Sequence, residues 1–239
     1  MPTQKTYKTS LLPPPGLNNG HALILPTRTI PSPSTNPKLF NDAVAVRLEV
    51  FVDEQKCPAE FEVDEDDSRC WHWVIYDTTP DESLAVNGAL PVGVVRLVPP
   101  PHASHESFIA AYAADGDPES RYISKDGFDY EHEPYIKFGR VAVLKNYRGA
   151  GVARKVMEEA LTWAQGHPDE INKAFEEFAG KDGNGDKVQG KKWRGLALVH
   201  AQVEVERFYQ RLGFETDEGL GRWSEEGIEH VGMWRRLDV

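Results

Sequence analysis

The stretch that decides the fold is Tyr147 to Ala153 (YRGAGVA). It follows an apolar segment with strand character, Tyr135 to Leu144 (YIKFGRVAVL), and it opens a segment from about Ala150 to Gln165 with apolar residues at helical spacing. The start of a helix offers unpaired backbone NH groups and a partial positive charge, and glycines let a ligand reach the main chain. With Arg148 and Arg154 close by, the sequence predicts an anion-binding turn between a strand and a helix.

Two glycines in a turn also fit a plain strand-to-helix connection. The dinucleotide-binding fingerprint needs G-x-G-x-x-G with an acidic residue about twenty positions later, and the P-loop needs G-K-[ST] at its end. YRGAGVA matches neither pattern. We therefore favour a nucleotide diphosphate that is bound in a different way.

Hydrophobic periodicity predicts several further elements. They are a helix over about Lys38 to Val52 that ends near Cys57-Pro58, a hairpin of strands Trp71 to Tyr76 and Pro91 to Val98, a strand Gly195 to His200, a helix Glu204 to Leu212, and a closing strand His230 to Leu237.

Two regions lack a clear pattern. Residues 1–37 hold eight prolines and predict a mostly irregular arm, in which only Ala22 to Ile30 has some strand character. Pro99 to Pro134 is long for a connection and is rich in Pro, His, Ser, Asp and Gly, which indicates either a functional loop or a disordered one.

Composition limits the classes of function. The 239 residues carry a formal net charge of -11, which argues against nucleic acid as a partner and favours neutral or cationic ones such as amines, although most of these carboxylates serve solubility. No apolar run of membrane-spanning length and no secretory pattern is visible, so we expect a cytoplasmic protein without a membrane partner. Cys57 and Cys70 are too few for a disulfide framework and lack zinc-ligand spacing, so no metal is predicted.

Two ordered blocks resemble a known family. V-A-V-x(3)-Y-R-G-x-G-V-A resembles motif A of the GNAT superfamily of N-acetyltransferases, whose signature [QR]-x-x-G-x-[GA] falls on Arg148, Gly151 and Ala153. About sixty residues downstream, Phe208 to Phe214 (FYQRLGF) resembles the F-Y-x-x-x-G-F helix end of the same superfamily.

Further blocks resemble the ElaA-type branch of this superfamily, namely Val50 to Asp67, Ala201-Gln202, and Glu225 to Met233. The resemblance implies an α+β GNAT fold, with a central mixed, mostly antiparallel sheet of about six or seven strands, splayed in the middle and flanked by helices on both faces. We predict an irregular arm over residues 1–20 and a single acetyltransferase domain over residues 21–239, with insertions of a fungal type near 99–134 and 166–194.

The resemblance implies acetyl-CoA as cosubstrate and assigns the residues that bind it. They are Val141, Ala142, Val143, Arg148, Gly149, Ala150, Gly151, Val152, Ala153, Arg154 and Gln202. It also implies that Tyr209 is the general acid for the departing thiolate. The strand position that carries a glutamate base in some members falls near Lys137, so we predict that Glu54, with Gln55 and His230, binds or deprotonates the amine.

The substrate is left open by the sequence. We favour a primary amine on a small molecule, with a slight preference for an amino sugar such as glucosamine, over a protein lysine or N-terminus and over a non-catalytic sensor of acyl-CoA. A homodimer is an option, since dimers are common in the superfamily. The acidic run Asp64 to Asp67 is interpreted as a solvated loop, and Lys181 to Asp186 (KDGNGD) as a turn or flexible loop that lacks the EF-hand glycine.

Overall fold

A computed structural model describes residues 5–16, 22–79, 89–113, 128–181 and 183–239. The chain forms two compact units, one from Met1–Val98 with Gly139–Ala160 and the other from Pro99–Phe138 with Leu161–Val239. Each unit is therefore built from segments that are distant in sequence. None of the helices in these ranges is long and apolar enough to cross a membrane.

Ten strands and five α-helices make up the described chain. The strands are β1 (Tyr7–Leu12), β2 (Trp71–Asp77), β3 (Leu90–Val98), β4 (His102–Ala103), β5 (Phe128–Asp129), β6 (Ile136–Val143), β7 (Leu196–Gln202), β8 (Glu215–Thr216), β9 (Arg222–Glu225) and β10 (Ile228–Arg236). The helices are α1 (Lys38–Arg47), α2 (His105–Ala113), α3 (Val152–Gly166), α4 (Pro168–Lys181) and α5 (Glu206–Gln210).

In the first unit, β1, β2, β3 and the C-terminal half of β6 are neighbours in that order. β1 pairs antiparallel with β2, and β2 pairs antiparallel with β3, which confirms the predicted hairpin. Every residue of β2 is buried, as its apolar sequence WHWVIYD leads one to expect of a central strand. A core cluster joins α1 to these strands through Ala43, Val46, Val50, Val74, Tyr76, Val94 and Ala142.

In the second unit, the N-terminal half of β6 pairs parallel with β7 over three residue pairs, from Ile136↔Ala197 to Phe138↔Val199. β7 pairs antiparallel with β10, which also pairs with β8 and β9. A separate core cluster consists of Tyr130, Phe175, Ala179 and Val188. Mixed, mostly antiparallel strands with helices confirm the predicted α+β class.

The first helix was predicted as one continuous α-helix, but its second half is a π-helix. α1 ends at Arg47 and continues as a π-helix over Leu48–Glu54, in which the backbone NH of Gln55 donates to the carbonyl of Val50 at 3.0 Å. This bond spans five residues, as a π-helix requires, and such wider turns are frequent at functional sites. The predicted end near Cys57 agrees with the observed end of the π-helix.

The arm prediction is wrong for residues 7–12, which form β1 on the edge of β2. This segment has no proline, so its NH groups can pair with β2, and Pro13 to Pro15 then end the strand because proline has no NH to donate. The strand character of Ala22 to Ile30 is not realised, since this segment lies in a loop.

The two segments predicted as insertions contain regular structure. Residues 99–134 hold β4, α2 and β5 in their described parts, and residues 166–194 hold α4 with Ile171, Phe175 and Ala179 buried at a spacing of four. In KDGNGD, residue 182 lies outside the described ranges, while Gly185–Val188 forms a 3₁₀ turn.

Three arginines and three carboxylates form an ion-pair network in the first unit. Arg47 binds Asp67 through two nitrogens, at 2.8 and 3.2 Å, and Glu62 at 3.0 Å. The guanidinium of Arg96 binds Asp64 at 2.6 Å and Asp67 at 2.9 Å. The side chains of Arg47 and Asp67 are fully buried, with 0% exposure each. The ion-pair network therefore comprises Arg47, Arg96, Arg140, Glu62, Asp64 and Asp67.

This network corrects the interpretation of the acidic run. Asp64 caps a 3₁₀ helix over Glu65–Arg69 in a capping box with Asp67, so the run is ordered and its last member is buried. The run was misread because the partners, Arg47 and Arg96, lie about 20 and 30 residues away in the chain.

The buried His72 predicts a loss of stability in mild acid. Burial lowers its pKa to about 4, and its Nε2 lies 3.0 Å from the carbonyl of Asp67. An unfolded histidine titrates near pH 6.5, so as the pH falls below that value the unfolded state binds a proton that the folded state rejects. At pH 5 we expect this to cost about 2 kcal/mol of unfolding free energy.

Urea unfolding of His72→Gln at pH 7 and pH 5 measures this effect. The pH dependence should shrink by the predicted amount. Equal pH dependence in His72→Gln and the wild type would contradict the prediction.

Candidate active site

The predicted phosphate-binding turn lies exposed ahead of α3. Gly149 and Gly151 have φ values of +77° and +79°, in the left-handed region that favours glycine, and a Cβ added to either would meet no atom within 4 Å. The first helical bond runs from the NH of Lys155 to the carbonyl of Gly151 at 2.9 Å, so the preceding NH groups lie ahead of the helical ladder. This exposed backbone with open space fits a diphosphate.

Arg148 ties this turn to the end of β6 and to the π-helix. Its Nε donates to the carbonyl of Val143 at 2.9 Å, and its two terminal nitrogens donate to the carboxylate of Glu54 at 2.6 and 2.7 Å. The hydrogen bond from Arg148 lowers the pKa of Glu54, which makes this carboxylate a weaker base. The predicted catalytic role of Glu54 stays a prediction, as does a substrate contact of Gln55 at the end of the π-helix.

Sequence reasoning missed Gly93, which lies in β3 and brings the neighbouring elements close. A Cβ there would come within 2.8 Å of Ile75, 3.2 Å of Val152 and 3.3 Å of the carbonyl oxygen of Ala142. Gly93 thus lets β6 and the first residue of α3 approach β3. A glycine inside a strand pattern was the available signal.

In the second unit, Tyr209 lies in α5 and is buried, with 6% exposure. Burial raises the pKa of its phenol well above the usual value near 10, so the phenol keeps its proton throughout the physiological pH range. Its ring contacts those of Phe208 and Phe214, at centroid distances of 5.0 and 5.9 Å. A phenol held in the protonated state can act as a hydrogen-bond donor, which is consistent with its predicted role.

Gln202 and His230, predicted to bind coenzyme and substrate, are partners in the register of β7 and β10. Residues directly opposite in an antiparallel pair share a face of the sheet, so the two side chains are neighbours. His230 is buried, and its Nδ1 lies 2.8 Å from the carbonyl of Ile228. The structure places these two residues together, while their roles stay predictions.

A group that the sequence did not reveal lies beside them, and we call it the His200 cluster. It comprises Lys137, His200 and Glu225 together with the rings of His105, Phe108 and Trp223. Nδ1 of His200 lies 3.0 Å from Nζ of Lys137 and 3.1 Å from Oε1 of Glu225. The same oxygen of Glu225 accepts a 2.7 Å hydrogen bond from Nε1 of Trp223.

Burial and neighbouring charges set the protonation states of His200 and Glu225. Burial, with the nearby charge of Lys137, lowers the pKa of His200 to about 4, so the imidazole is neutral at pH 7. Burial alone would raise the pKa of Glu225, but the hydrogen bond with His200 and the neighbouring charges lower it, so the carboxylate is ionised. Two polar residues inside apolar runs, His200 in LALVHAQ and Lys137 in YIKF, were the available signals.

We expect the carboxylate of Glu54 to compete with a phosphate of coenzyme A for the guanidinium of Arg148. The two side chains are 37% and 41% exposed, so the pair contributes only about 0.2–1 kcal/mol. In Glu54→Gln the guanidinium of Arg148 is released for a phosphate, and coenzyme A should bind up to about fivefold more tightly. Isothermal titration at low salt measures this change.

Glu177→Gln is the control, because it breaks an exposed pair with Lys173 on α4, and neither residue is assigned to coenzyme binding. Weaker coenzyme binding in Glu54→Gln than in this control would contradict the competition. Loss of turnover with unchanged coenzyme affinity would instead favour the predicted role of Glu54 as a base.

Comparisons with known proteins agree with this geometry. A family model described as "Acetyltransferase (GNAT) domain" matches residues 72–216. The chain is 27% identical over 200 residues to the "Uncharacterized N-acetyltransferase YjcF" of Bacillus subtilis, covering 84% of this chain and 94% of that protein.

Two solved structures are similar along nearly the whole chain. One is a putative N-acetyltransferase from Lactobacillus plantarum, with 22% identity, a TM-score of 0.50, and coverage of 97% of this chain and 98% of the other. The other is Escherichia coli ElaA, with 18% identity, a TM-score of 0.48, and coverage of 98% and 100%. Since the family model matches more than half of the residues, the chain belongs to the GNAT family of N-acetyltransferases and adopts its fold.

Proposed function

We propose that this acetyltransferase moves the acetyl group of acetyl-CoA to a primary amine of a small molecule, with an amino sugar such as glucosamine preferred. The observation that carries the proposal is the His200 cluster, in which an ionised carboxylate, a neutral imidazole and aromatic rings are gathered in one half-buried place. A carboxylate and rings suit a cationic amine that is attached to a compact body.

The first unit supplies the groups that hold the coenzyme. The backbone NH groups from Gly149 to Ala153, ahead of the helical ladder, and the guanidinium of Arg148 suit the diphosphate. By the family resemblance, the main chain of Val141 to Val143 pairs with the pantetheine arm. Acetyl-CoA supplies an activated acyl group in the form of a thioester.

Tyr209 and the His200 cluster supply the proposed groups for the leaving thiolate and the amine. Tyr209 is the proposed donor to the thiolate, since burial raises its pKa and keeps the proton on the phenol up to high pH. Full transfer of that proton to a thiolate is uphill from such a phenol, so a strong hydrogen bond to the developing charge is its main contribution.

A small substrate is favoured by the composition of the cluster. Two of its rings, His105 and Phe108, come from α2, in the segment that the sequence predicted as an insertion. The insertion therefore builds part of the polar cluster. An aromatic wall of this kind packs against the apolar face of a sugar ring, while the carboxylate of Glu225 complements the amine.

A thiol-release assay tests the proposal with acetyl-CoA and four acceptors: glucosamine, a polyamine, an amino-acid amide and a peptide panel. Turnover is expected on glucosamine or another small amine, with little on peptides. Turnover on peptides alone would overturn the small-molecule assignment and identify a protein acetyltransferase. Tight coenzyme binding without any turnover would favour an acyl-CoA sensor.

Tyr209→Phe tests the proposed donor. The substitution keeps the ring and removes only the hydroxyl, so kcat should fall about 10²-fold or more while the affinity for coenzyme A changes little. Phe208→Leu, which changes the neighbouring ring, is the control for packing. Unchanged turnover of Tyr209→Phe on every accepted amine would exclude the role.

A further inference from the structure

We propose that His200 is the general base of the reaction and that Glu225 is the positioning residue that fixes its tautomer. The inference rests on the proposed function and deepens it, because it identifies the atom that takes the proton from the amine. Its basis is geometric: one ring nitrogen, Nδ1 of His200, lies within hydrogen-bond distance of both Glu225 and Lys137.

A neutral imidazole carries one hydrogen, and Nδ1 has one in-plane position for either that hydrogen or a lone pair. If Nδ1 carries the hydrogen, it donates to Oε1 of Glu225 at 3.1 Å. If Nδ1 carries the lone pair, it accepts from the ammonium of Lys137 at 3.0 Å, and the lone pair then faces a carboxylate oxygen. The two arrangements exclude each other.

The first arrangement is favoured by the fixed direction of the ring nitrogen. A buried carboxylate needs donors, and Glu225 has only 17% of its side chain exposed. An ammonium has three rotatable hydrogens, and that of Lys137 lies 4.5 Å above the ring of Phe108, which attracts a cation. Lys137 can therefore turn its hydrogens away from Nδ1, whereas without the hydrogen on Nδ1 this oxygen of Glu225 would keep only the hydrogen bond from Trp223 and would face a lone pair.

With the hydrogen on Nδ1, the lone pair of His200 is on Nε2. This is the arrangement in which a carboxylate holds an imidazole ready to accept a proton. Within the described ranges, the hydrogen bonds of His200 all involve Nδ1, so Nε2 is left to receive a substrate. The charged and titratable groups around the ring are Lys137 from β6, Glu225 from β9, His230 from β10 and His105 from α2.

In the proposed step, each proton that is transferred has a named donor and acceptor. The amine nitrogen forms a bond to the acetyl carbon, and its proton passes to Nε2 of His200. The bond from that carbon to sulfur breaks with its electron pair on sulfur, and the phenol of Tyr209 donates a hydrogen bond to the thiolate. The imidazolium then returns its proton to the solvent, which restores the neutral ring.

His200 is ready for this role at neutral pH. Its pKa of about 4 keeps the ring unprotonated at pH 7. The same pKa makes the imidazole a weak base, so in this proposal it takes the proton after the attacking nitrogen has become cationic in the tetrahedral adduct. Glu54, in contrast, is held by the guanidinium of Arg148.

The tautomer of His200 is measured without any substrate by long-range ¹H–¹⁵N correlation NMR on the full chain. The expected result is a hydrogen on Nδ1 in the wild type. In Glu225→Gln the amide can donate to Nδ1 instead, and a shift toward the hydrogen on Nε2 is expected. A hydrogen on Nε2 in the wild type would overturn the proposal, because Nε2 would then have no lone pair.

Kinetics with the best amine from the acceptor panel supply the second test. His200→Gln should lower kcat by about 10²–10⁴-fold and Glu225→Gln by about 10²-fold, with Glu225→Asp recovering part of the loss. The dissociation constant of coenzyme A should change less than twofold in each, since neither His200 nor Glu225 is part of the phosphate-binding turn. His132→Gln, an exposed histidine paired with Asp129, is the matched control and should keep wild-type turnover.

The possible failures are distinguishable. If the wild type acetylates an amine and His200→Gln stays within threefold of it, the base assignment is wrong while the proposed function stands. If the wild type acetylates no amine, the proposed function fails, and the base assignment fails with it.

Discussion

Replacing Gly151 with valine is expected to weaken coenzyme A binding by about 100-fold. Gly151 has a φ of +79°, which a β-branched residue adopts only at a cost of about 1–2 kcal/mol. The valine therefore drives the turn toward another backbone conformation, and its side chain enters the open space from which a phosphate reaches the main chain. One or two charge-assisted hydrogen bonds, of about 1.5–3 kcal/mol each, are lost.

The matched control is Gly190→Val. Gly190 has a φ of +76° and open space around it, but it belongs to the second unit and is not part of the turn. Both variants should lose similar unfolding free energy in urea, since they carry similar backbone strain. Only Gly151→Val should change the coenzyme dissociation constant in calorimetric titration, and equal affinities in the two variants would refute the phosphate-binding turn.

The glycine turn ahead of α3 could be predicted because its signals are local, while its binding of a phosphate stays a prediction. Glycine conformation, the start of a helix and nearby arginines all fall within seven residues of sequence, and the structure shows Gly149 and Gly151 with positive φ ahead of α3. The strand before the turn and the helix after it agree with the prediction to within about two residues. Local chemistry therefore predicted this part of the protein well.

The His200 cluster could not be predicted in the same way. Its members come from α2, β6, β7 and β9, so their meeting depends on the pairing of strands and not on spacing along the chain. A lone histidine within LALVHAQ is ordinary in a sequence. His200 becomes a candidate functional residue only in the folded structure, where Glu225 and Lys137 both lie within hydrogen-bond distance of its Nδ1.

The ion-pair network shows the same limit in the first unit. Arg140 has a φ of +51°, which is unusual for a residue with a side chain, and its guanidinium donates to the carbonyl of Phe61 at 3.0 Å and to Asp64 at 3.3 Å. The acidic segment thus holds a strained residue in β6, directly before Val141. A strained backbone that is held by its surroundings is typical of functional sites.

Asp67→Asn is expected to destabilise the protein by about 3–5 kcal/mol. The substitution keeps the size of the side chain but leaves three guanidinium groups with two carboxylates, and Arg47 is fully buried. Losing one partner of a buried pair leaves a charge without compensation, which costs more than the pair itself contributes. Urea unfolding with an unchanged m-value measures the loss.

Asp66→Asn is the adjacent control. Asp66 pairs with Arg69 at 2.7 Å, but its side chain is 38% exposed, so its removal should cost less than about 1 kcal/mol. Similar losses in the two variants would mean that Asp67 contributes no more than a surface carboxylate, and that the ion-pair network does not stabilise the first unit.

The stability difference between the wild type and Asp67→Asn should also depend on pH in a defined direction. Burial alone would raise the pKa of Asp67, but Arg47 and Arg96 outweigh it and hold the pKa far below the value near 3.9 of an unfolded aspartate. A folded pKa below the unfolded one gives stability that is present above the unfolded pKa and is lost as the pH falls toward the folded one. The gap between the wild type and Asp67→Asn should therefore stay constant from pH 8 to about pH 5 and narrow below about pH 4. A gap that widens in acid would mean that Asp67 is protonated in the folded protein, and the arginines would then be balanced by Glu62 and Asp64 alone.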